Sequence, residues 1–159
     1  MKTKVLALIT LVFLFSMMLP VCGVSGDDAP SVKQIASGIL INNDKVVADV
    51  YIDISDGYSV AFDWNGISLI EGEYTNLSWP LVSIVALADG AYERQLAEYK
   101  DSESFKEEDG VITFVDVIGE FNYVFMLGGR VPVSISFEKG TDEAKIDKIM
   151  SGIEFSLRQ

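Results

Sequence analysis

The chain after residue 37 is rich in alternating apolar and polar positions, which is the pattern of half-buried β-strands. The clearest alternation lies in residues 46–54, where Val46, Ala48, Val50, Ile52 and Ile54 alternate with Val47, Asp49, Tyr51 and Asp53. Residues 39–41 are also apolar, and the polar residues 42–45 separate the two stretches. This pattern predicts a β-hairpin with its turn at 42–45.

A second hairpin is predicted where Asn65-Gly66 separates two apolar stretches, residues 58–64 and 67–74. Asn-Gly suits a two-residue type I′ turn, because both positions tolerate a positive φ. That turn would set four pairs on one face of the sheet: Trp64 with Ile67, Phe62 with Leu69, Val60 with Glu71, and Tyr58 with Glu73. Glu71 and Glu73 would then lie together at one end of an otherwise apolar face.

The middle of the chain predicts a strand at 81–87, followed by a short amphipathic helix at 92–100. The helix is indicated by Tyr92, Leu96 and Tyr99, which recur at helical spacing. An acidic loop, residues 101–110, is expected to follow it.

The last third predicts a three-stranded meander over 111–118, 121–127 and 131–138. If Gly119-Glu120 is a two-residue turn, one face carries Ile112, Phe114, Ile118, Phe121, Tyr123, Phe125, Leu127, Val131, Val133, Ile135 and Phe137. In that register Asp116 is the charged residue on the apolar face, directly opposite Tyr123. Thr141 is the predicted N-cap of a helix through Met150, and a strand at 153–157 closes the chain.

These elements predict an α+β domain over residues 37–159. We expect a single antiparallel sheet of about six to eight strands, with hairpins and a C-terminal meander. One short middle helix and one C-terminal helix are expected to pack on its core face.

The N-terminal residues have the order of a secretory signal, since Lys2 and Lys4 precede an apolar run from Val5 to Leu19. We therefore interpret residues 1–26 as a signal segment and residues 27–36 as a polar tether. The domain would lie outside the cytoplasm.

Two processing sites compete in this signal segment. Val24-Ser25-Gly26 has small residues suited to cleavage before Asp27, which would release a secreted protein. Leu19-Pro20-Val21-Cys22 resembles the bacterial lipoprotein box, in which the cysteine is lipidated and anchors the protein at the cell surface. The sequence leaves both alternatives open.

The charge balance narrows the range of partners. Without residues 1–26 the chain loses Lys2 and Lys4 and no acid, which leaves 10 basic against 24 acidic residues and a net charge of −14. Nucleic acid and anionic membrane surfaces are therefore unfavourable partners, and a membrane contact is expected only through a lipid anchor. We expect a protein, peptide or glycan partner outside the cytoplasm.

The absence of histidine and of any cysteine after Cys22 excludes several chemistries. A Ser-His-Asp triad, a cysteine nucleophile and a zinc site built on His or Cys are not available. We expect no cofactor and no metal: the acidic run 101–110 does not match an EF-hand loop, so we interpret it as solvated.

Three carboxylates are candidate catalytic groups. Glu71 and Glu73 are a candidate dyad, since paired carboxylates hydrolyse glycosides without histidine, although such dyads usually join different elements. Asp116 is the third candidate, because an acid on an apolar face either lines a pocket or is compensated by a hydrogen bond.

Aromatic residues near the Asn-Gly turn are candidates for ligand binding: Trp64, Trp79, Tyr58 and Tyr74. They would offer contact area with polar tips to a sugar or peptide, while the alternation of Trp64 with Phe62 favours a place in the core instead. Asn76-Leu77-Ser78 is a glycosylation sequon, used only if the host glycosylates exported asparagines.

Two stretches resemble PsbP-like domains. Gly57-Tyr58-Ser59-Val60-Ala61-Phe62-Asp63-Trp64 is similar to their opening strand, and residues 131–157 are similar to their closing strand, helix and strand. The family's proline-containing turn before the tryptophan is missing. The resemblance covers about 35 residues and implies an export-compatible binding scaffold with no particular reaction.

We therefore expect a non-catalytic binding or interaction module outside the cytoplasm, and the alternative is a small carboxylate-dependent hydrolase. A deep pocket containing Asp116 or Glu71 would favour the enzyme. A shallow aromatic patch or an exposed sheet edge would favour the binding module.

Overall fold

The computed structural model describes residues 33–63 and 66–158. In chain order the elements are β1 (Ile35–Asn42), β2 (Lys45–Asp53), β3 (Tyr58–Asp63), β4 (Gly66–Glu71), β5 (Val82–Ala86), α1 (Ala91–Tyr99), β6 (Lys106–Glu108), β7 (Val111–Val115), β8 (Phe121–Leu127), β9 (Val131–Phe137), α2 (Glu143–Ser151) and β10 (Ile153–Leu157). The predicted α+β class, with one helix in mid-chain and one near the C-terminus, is confirmed.

The strands form two antiparallel sheets where the sequence predicted one. The small sheet has the order β1-β2-β10, and the large sheet has the order β3-β4-β5-β9-β8-β7-β6. The two sheets are separate because β2 pairs with β10 and not with β3. In the β2–β10 pair, Ile153 lies opposite Ile52. The predicted hairpin at 42–45 is confirmed, with positive φ at Asn43 and Asp44 in its turn.

The main core lies between the small sheet, α2 and one face of the large sheet. Its most buried side chains include Leu40, Val50, Ile52, Ile67, Leu69, Ile84, Val133, Ile135, Phe137, Ile146 and Ile149. A second, smaller cluster contains Ile112, Phe114 and Val124, against which Tyr92, Leu96 and Tyr99 of α1 pack. Placing both helices on one core face was therefore wrong, because α1 covers the cluster formed by β7 and β8.

The register of β7 and β8 explains this difference. Val115 lies opposite Phe121 and Phe114 opposite Asn122, so the connection is the longer turn 116–120 and not a two-residue turn at Gly119-Glu120. Gly119 has a φ of 90°, and its amide donates to the Asp116 carbonyl at 3.0 Å. The pairing is displaced by an odd number of residues, which turns β7 over relative to β8.

Two predictions fail for this reason. Ile112 and Phe114 do not share a face with Phe121, Tyr123 and Phe125, since they belong to the cluster under α1. Asp116 lies beyond the end of β7, and Thr113 stands opposite Tyr123 in its place. The β8–β9 pairing, in which Leu127 faces Val131, agrees with the predicted turn at 128–130.

The β3–β4 hairpin is also displaced, here by two residues. Phe62 lies opposite Ile67 and Tyr58 opposite Glu71, where the Asn-Gly turn had predicted Leu69 and Glu73. An even displacement keeps every side chain on its face, so the apolar pattern is satisfied by either register. Gly66 begins β4 where a side chain would collide with the Ile84 carbonyl oxygen of β5, so the glycine permits close strand approach.

Several element boundaries differ from the sequence prediction. β1 begins at Ile35, inside the predicted tether, and β6 occupies part of the predicted acidic loop. Asp142, not Thr141, caps α2, because its side chain accepts a hydrogen bond from the Lys145 amide at 2.9 Å. The Thr141 hydroxyl donates to the Glu138 carbonyl at 2.7 Å instead.

Candidate functional site

The loop between β4 and β5, residues 72–80, presents large apolar side chains to solvent. Tyr74 is 61%, Leu77 94% and Trp79 75% exposed. The loop is held by its own polar groups, since the Thr75 amide donates to the Ser78 hydroxyl at 2.9 Å and the Ser78 amide to the Thr75 carbonyl at 3.0 Å. Its apolar side chains are therefore exposed on a backbone that is held by hydrogen bonds.

A second exposed apolar segment is the turn between β7 and β8, where Val117 is 93% and Ile118 64% exposed. This segment was missed in the sequence because the prediction placed Ile118 at the end of a core strand. The signal in the sequence was Gly119 after Val117 and Ile118, because glycine allows the positive φ that it adopts inside this turn.

Both segments lie at the same end of the large sheet. Phe121 of β8 pairs with Phe137 of β9, and Phe137 pairs with Val82 of β5. The 116–120 turn, which precedes β8, and the 72–80 loop, which precedes β5, are therefore at the same end of these strands. Strands two places apart are separated by about 10 Å. We call the set Tyr74, Leu77, Trp79, Val117 and Ile118 the apolar end.

The four aromatic residues predicted to bind ligand are divided by the structure. Tyr74 and Trp79 share the exposed loop. Tyr58, at the start of β3, is half-buried against the main core. Trp64 lies outside the described residues. A platform made by all four residues is therefore not formed, because Tyr58 faces the core.

Glu71 and Glu73 do not form a catalytic pair on a strand. β4 ends at Glu71, and Gly72 follows with a φ of 77°, which takes Glu73 out of the sheet. The Glu71 Oε2 atom accepts a hydrogen bond from the Lys145 ammonium at 2.8 Å. This hydrogen bond raises the pKa of Lys145. Because the Glu71 side chain is 69% exposed, the pair is an ordinary surface ion pair.

Asp116 uses its carboxylate to close the β7–β8 turn. Its Oδ1 atom accepts hydrogen bonds from the backbone amides of Ile118, Gly119 and Glu120, each at 3.0 Å. Its Oδ2 atom faces the Asn122 side-chain amide at 3.4 Å. The predicted Tyr123 contact is wrong, and this carboxylate has the bonding pattern of a turn cap.

A shallow cleft of about 120 Å³ lies beside the C-terminal end of α2. It is lined by Lys33, Asp53, Asp56, Tyr58, Lys148 and Ser151, among others. Its charges are paired, Lys33 with Asp53 at 3.4 Å and Lys148 with Asp56 at 2.8 Å. The cleft is smaller than a typical ligand pocket and contains neither Asp116 nor Glu71.

Three further predictions concern glycosylation, metal binding and processing of the signal segment. Asn76 is exposed in the 72–80 loop, where a glycan could be attached. Within residues 33–63 and 66–158, no group of three or more His, Cys, Asp or Glu side chains is placed to hold a metal ion. Cys22 and the Val24-Ser25-Gly26 cleavage site lie outside the described residues.

Comparisons with known proteins found no relative of this chain. Searches against protein-family models, curated proteins and solved structures each found no match to the chain. In the described part of the chain, no helix is long and apolar enough to cross a bilayer.

Proposed function

We propose that this chain is a non-catalytic binding module that acts outside the cytoplasm and contacts its partner through the apolar end. The observation that carries the proposal is the exposure of Tyr74, Leu77 and Trp79 on one hydrogen-bonded loop. Exposed aromatic and apolar side chains gathered on one surface are typical of interaction sites.

The partner is a protein, peptide or glycan. Tyr74 and Trp79 combine apolar contact area with a hydrogen-bonding tip, which suits either a peptide or a sugar ring. The net charge of −14 after residue 26 favours cationic or neutral partners and disfavours nucleic acid.

The alternative, a carboxylate-dependent hydrolase, has less support. Asp116 is engaged with three backbone amides, and Glu71 is paired with Lys145. A general acid needs a carboxyl group that faces substrate in a water-poor cleft, and neither group has that environment.

The extracytoplasmic location rests on the charged and apolar order of residues 1–19. Secretion after Gly26 and lipid anchoring at Cys22 both fit the proposal, since either leaves the domain outside the cell. The resemblance of residues 57–64 and 131–157 to PsbP-like domains favours a scaffold that binds and does not catalyse.

The test is capture of a partner from intact host envelope by the immobilised protein, with Trp79→Ala and Leu77→Ser as variants. Phe62→Ala is the matched control, because Phe62 is also exposed, at 55%, but lies at the end of the β3–β4 hairpin that is away from the 72–80 loop. We expect at least tenfold weaker retention of a saturable partner for the loop variants and unchanged retention for the control.

Two results would overturn this proposal. Equal retention by wild type and both loop variants would exclude the apolar end as the contact surface. Hydrolysis of a glycan or peptide substrate that is lost in Glu71→Gln or Asp116→Asn, with the fold intact, would favour the enzyme.

A further inference from the structure

The strand β1 leaves one side of its backbone open. It lies at the edge of the small sheet, and the Gln34 carbonyl, just before it, accepts a hydrogen bond from the Ile54 amide at 2.7 Å. Because backbone groups alternate in direction along an antiparallel strand, Ile35, Ser37 and Ile39 direct theirs away from β2. None of these outward groups has a partner within residues 33–63 and 66–158.

The edge strands of the two sheets differ in how they are protected against pairing. β6 is three residues long, and all three are charged. β10 carries the exposed Glu154, and β3 is shorter than β1, at six residues. β1 is eight residues long and has neither charge nor proline. Short length, charges and prolines are what normally prevent one sheet edge from pairing with another.

The side chains beside this open edge are also apolar. On the outer face of the small sheet Ile35 is 52%, Ile39 41% and Tyr51 41% exposed. Tyr51 lies opposite Ser37 in the register, so it stands between the two isoleucines. The exposed backbone edge and an exposed apolar row therefore occur at the same place.

We propose that β1 pairs with β1 of a second copy of this chain, antiparallel across a twofold axis, to join two small sheets into one six-stranded sheet. This dimer is independent of the partner surface proposed above, which lies on the large sheet. A twofold contact is closed, so assembly ends at two copies.

The strand is complementary to itself in this arrangement. With Gly38 on the axis, Ile35 of each copy faces Ile41 of the other, and Ser37 faces Ile39. No like charges are opposed along the eight residues, although each domain is strongly acidic. At the ends of the pair, Lys33 of one copy comes beside the Asn43-Asp44 turn of the other, which places opposite charges near each other.

The pair joins the exposed isoleucines and Tyr51 of both copies into one apolar surface. A single strand pair buries less area than a standard protein interface, so the dimer is of the weak, concentration-dependent kind. High salt should strengthen it, because salt screens the repulsion between two acidic domains.

Sedimentation equilibrium of the full chain, in the form that its host makes and in density-matched non-ionic detergent, measures the association directly. We expect the mass to rise with concentration to that of two copies. Ser37→Pro removes one outward amide without removing a bond to β2, and Ser37→Lys places two like charges at the contact. Each variant should weaken association at least tenfold while its circular dichroism spectrum is unchanged.

Ser156→Lys is the matched control, since Ser156 is exposed on β10, at the other edge of the small sheet. It should associate as the wild type does. Hydrogen exchange of the Ser37 and Ile39 amides should slow as the wild-type concentration increases. A monomer at every concentration, assembly beyond two copies, or association equal in wild type and both Ser37 variants would each overturn the proposal. Concentration-independent protection of these amides would do so too, because another segment of the same chain would then cover the edge.

Discussion

The two faces of the large sheet are built differently. One face is apolar: Val133, Ile135 and Phe137 of β9 lie under the small sheet and α2 and are fully buried. The other face carries polar side chains on the same strand. Ser134 and Ser136 lie there, and the Ser136 hydroxyl donates to the Asn122 side-chain carbonyl at 2.6 Å.

The polar face nevertheless contains a small core of its own. Ile112 and Phe114 of β7 join Val124 under α1, and the rings of Phe114 and Tyr99 stack with centroids 3.9 Å apart. One sheet therefore buries apolar side chains on both of its faces, over a large area on one and a small area on the other. The small sheet and α2 cover one face broadly, while α1 alone covers β7 and β8 on the other face.

The largest effect on the free energy of unfolding is expected on the apolar face of the large sheet. Phe137→Ala removes a fully buried ring that meets Tyr123 edge-on, with centroids 6.0 Å apart, so it should cost about 4 kcal/mol of unfolding free energy. Phe62→Ala is the control, because Phe62 is 55% exposed, and it should cost about 1 kcal/mol or less. Denaturant unfolding measures both, and equal losses would contradict the assignment of the main core.

Phe114→Ala tests the smaller core. Phe114 is 2% exposed and stacks on Tyr99 of α1, so we expect a loss of about 3 kcal/mol. Hydrogen exchange should also quicken in α1 more than in α2, because only α1 rests on this cluster. If exchange in α2 quickens equally, the two cores are not separate.

Asp116→Ala tests the turn that decides which face β7 serves. Removing an acceptor shared by three backbone amides should cost about 2 kcal/mol. Asp116→Asn keeps one acceptor oxygen and should cost less than half as much. Equal losses for Asn and Ala, measured by thermal and denaturant unfolding, would show that the charge and not the acceptor oxygen matters.

The smallest effect is expected at Glu120, in the same turn. Burial raises the pKa of its carboxyl group, and the negative charges of Asp116 and Glu138 raise it further. The folded state therefore binds this proton more tightly than the unfolded state, so stability falls as the pH rises from about 4.5 through the raised folded value.

Glu120→Gln should consequently raise the melting temperature slightly at pH 7 and make no difference well below pH 4. Glu154→Gln, at an exposed position on β10, should leave the melting temperature unchanged at both pH values. A lower melting temperature for Glu120→Gln at pH 7 would contradict the stated origin of the shift.

The α+β class could be predicted from the sequence, and so could the β1–β2 hairpin, both helices and the β8–β9 pairing. These features depend on short-range information: alternation in residues 46–54, helical spacing in α1, and glycines at 128–129 that fix a turn. Tyr74 and Trp79 were also among the four candidate aromatic residues, and both are exposed in the 72–80 loop.

Three features depend on long-range contacts: the division into two sheets, the side of the large sheet that α1 covers, and the role of Asp116. Alternation specifies that a strand has two faces but not which face meets which neighbour, since that depends on the length of the connecting turn. A five-residue turn at 116–120, closed by the Asp116 carboxylate, reversed β7 and carried Val117 and Ile118 into solvent. Pairing between β2 and β10 joins residues about a hundred positions apart, and no local pattern encodes such a contact.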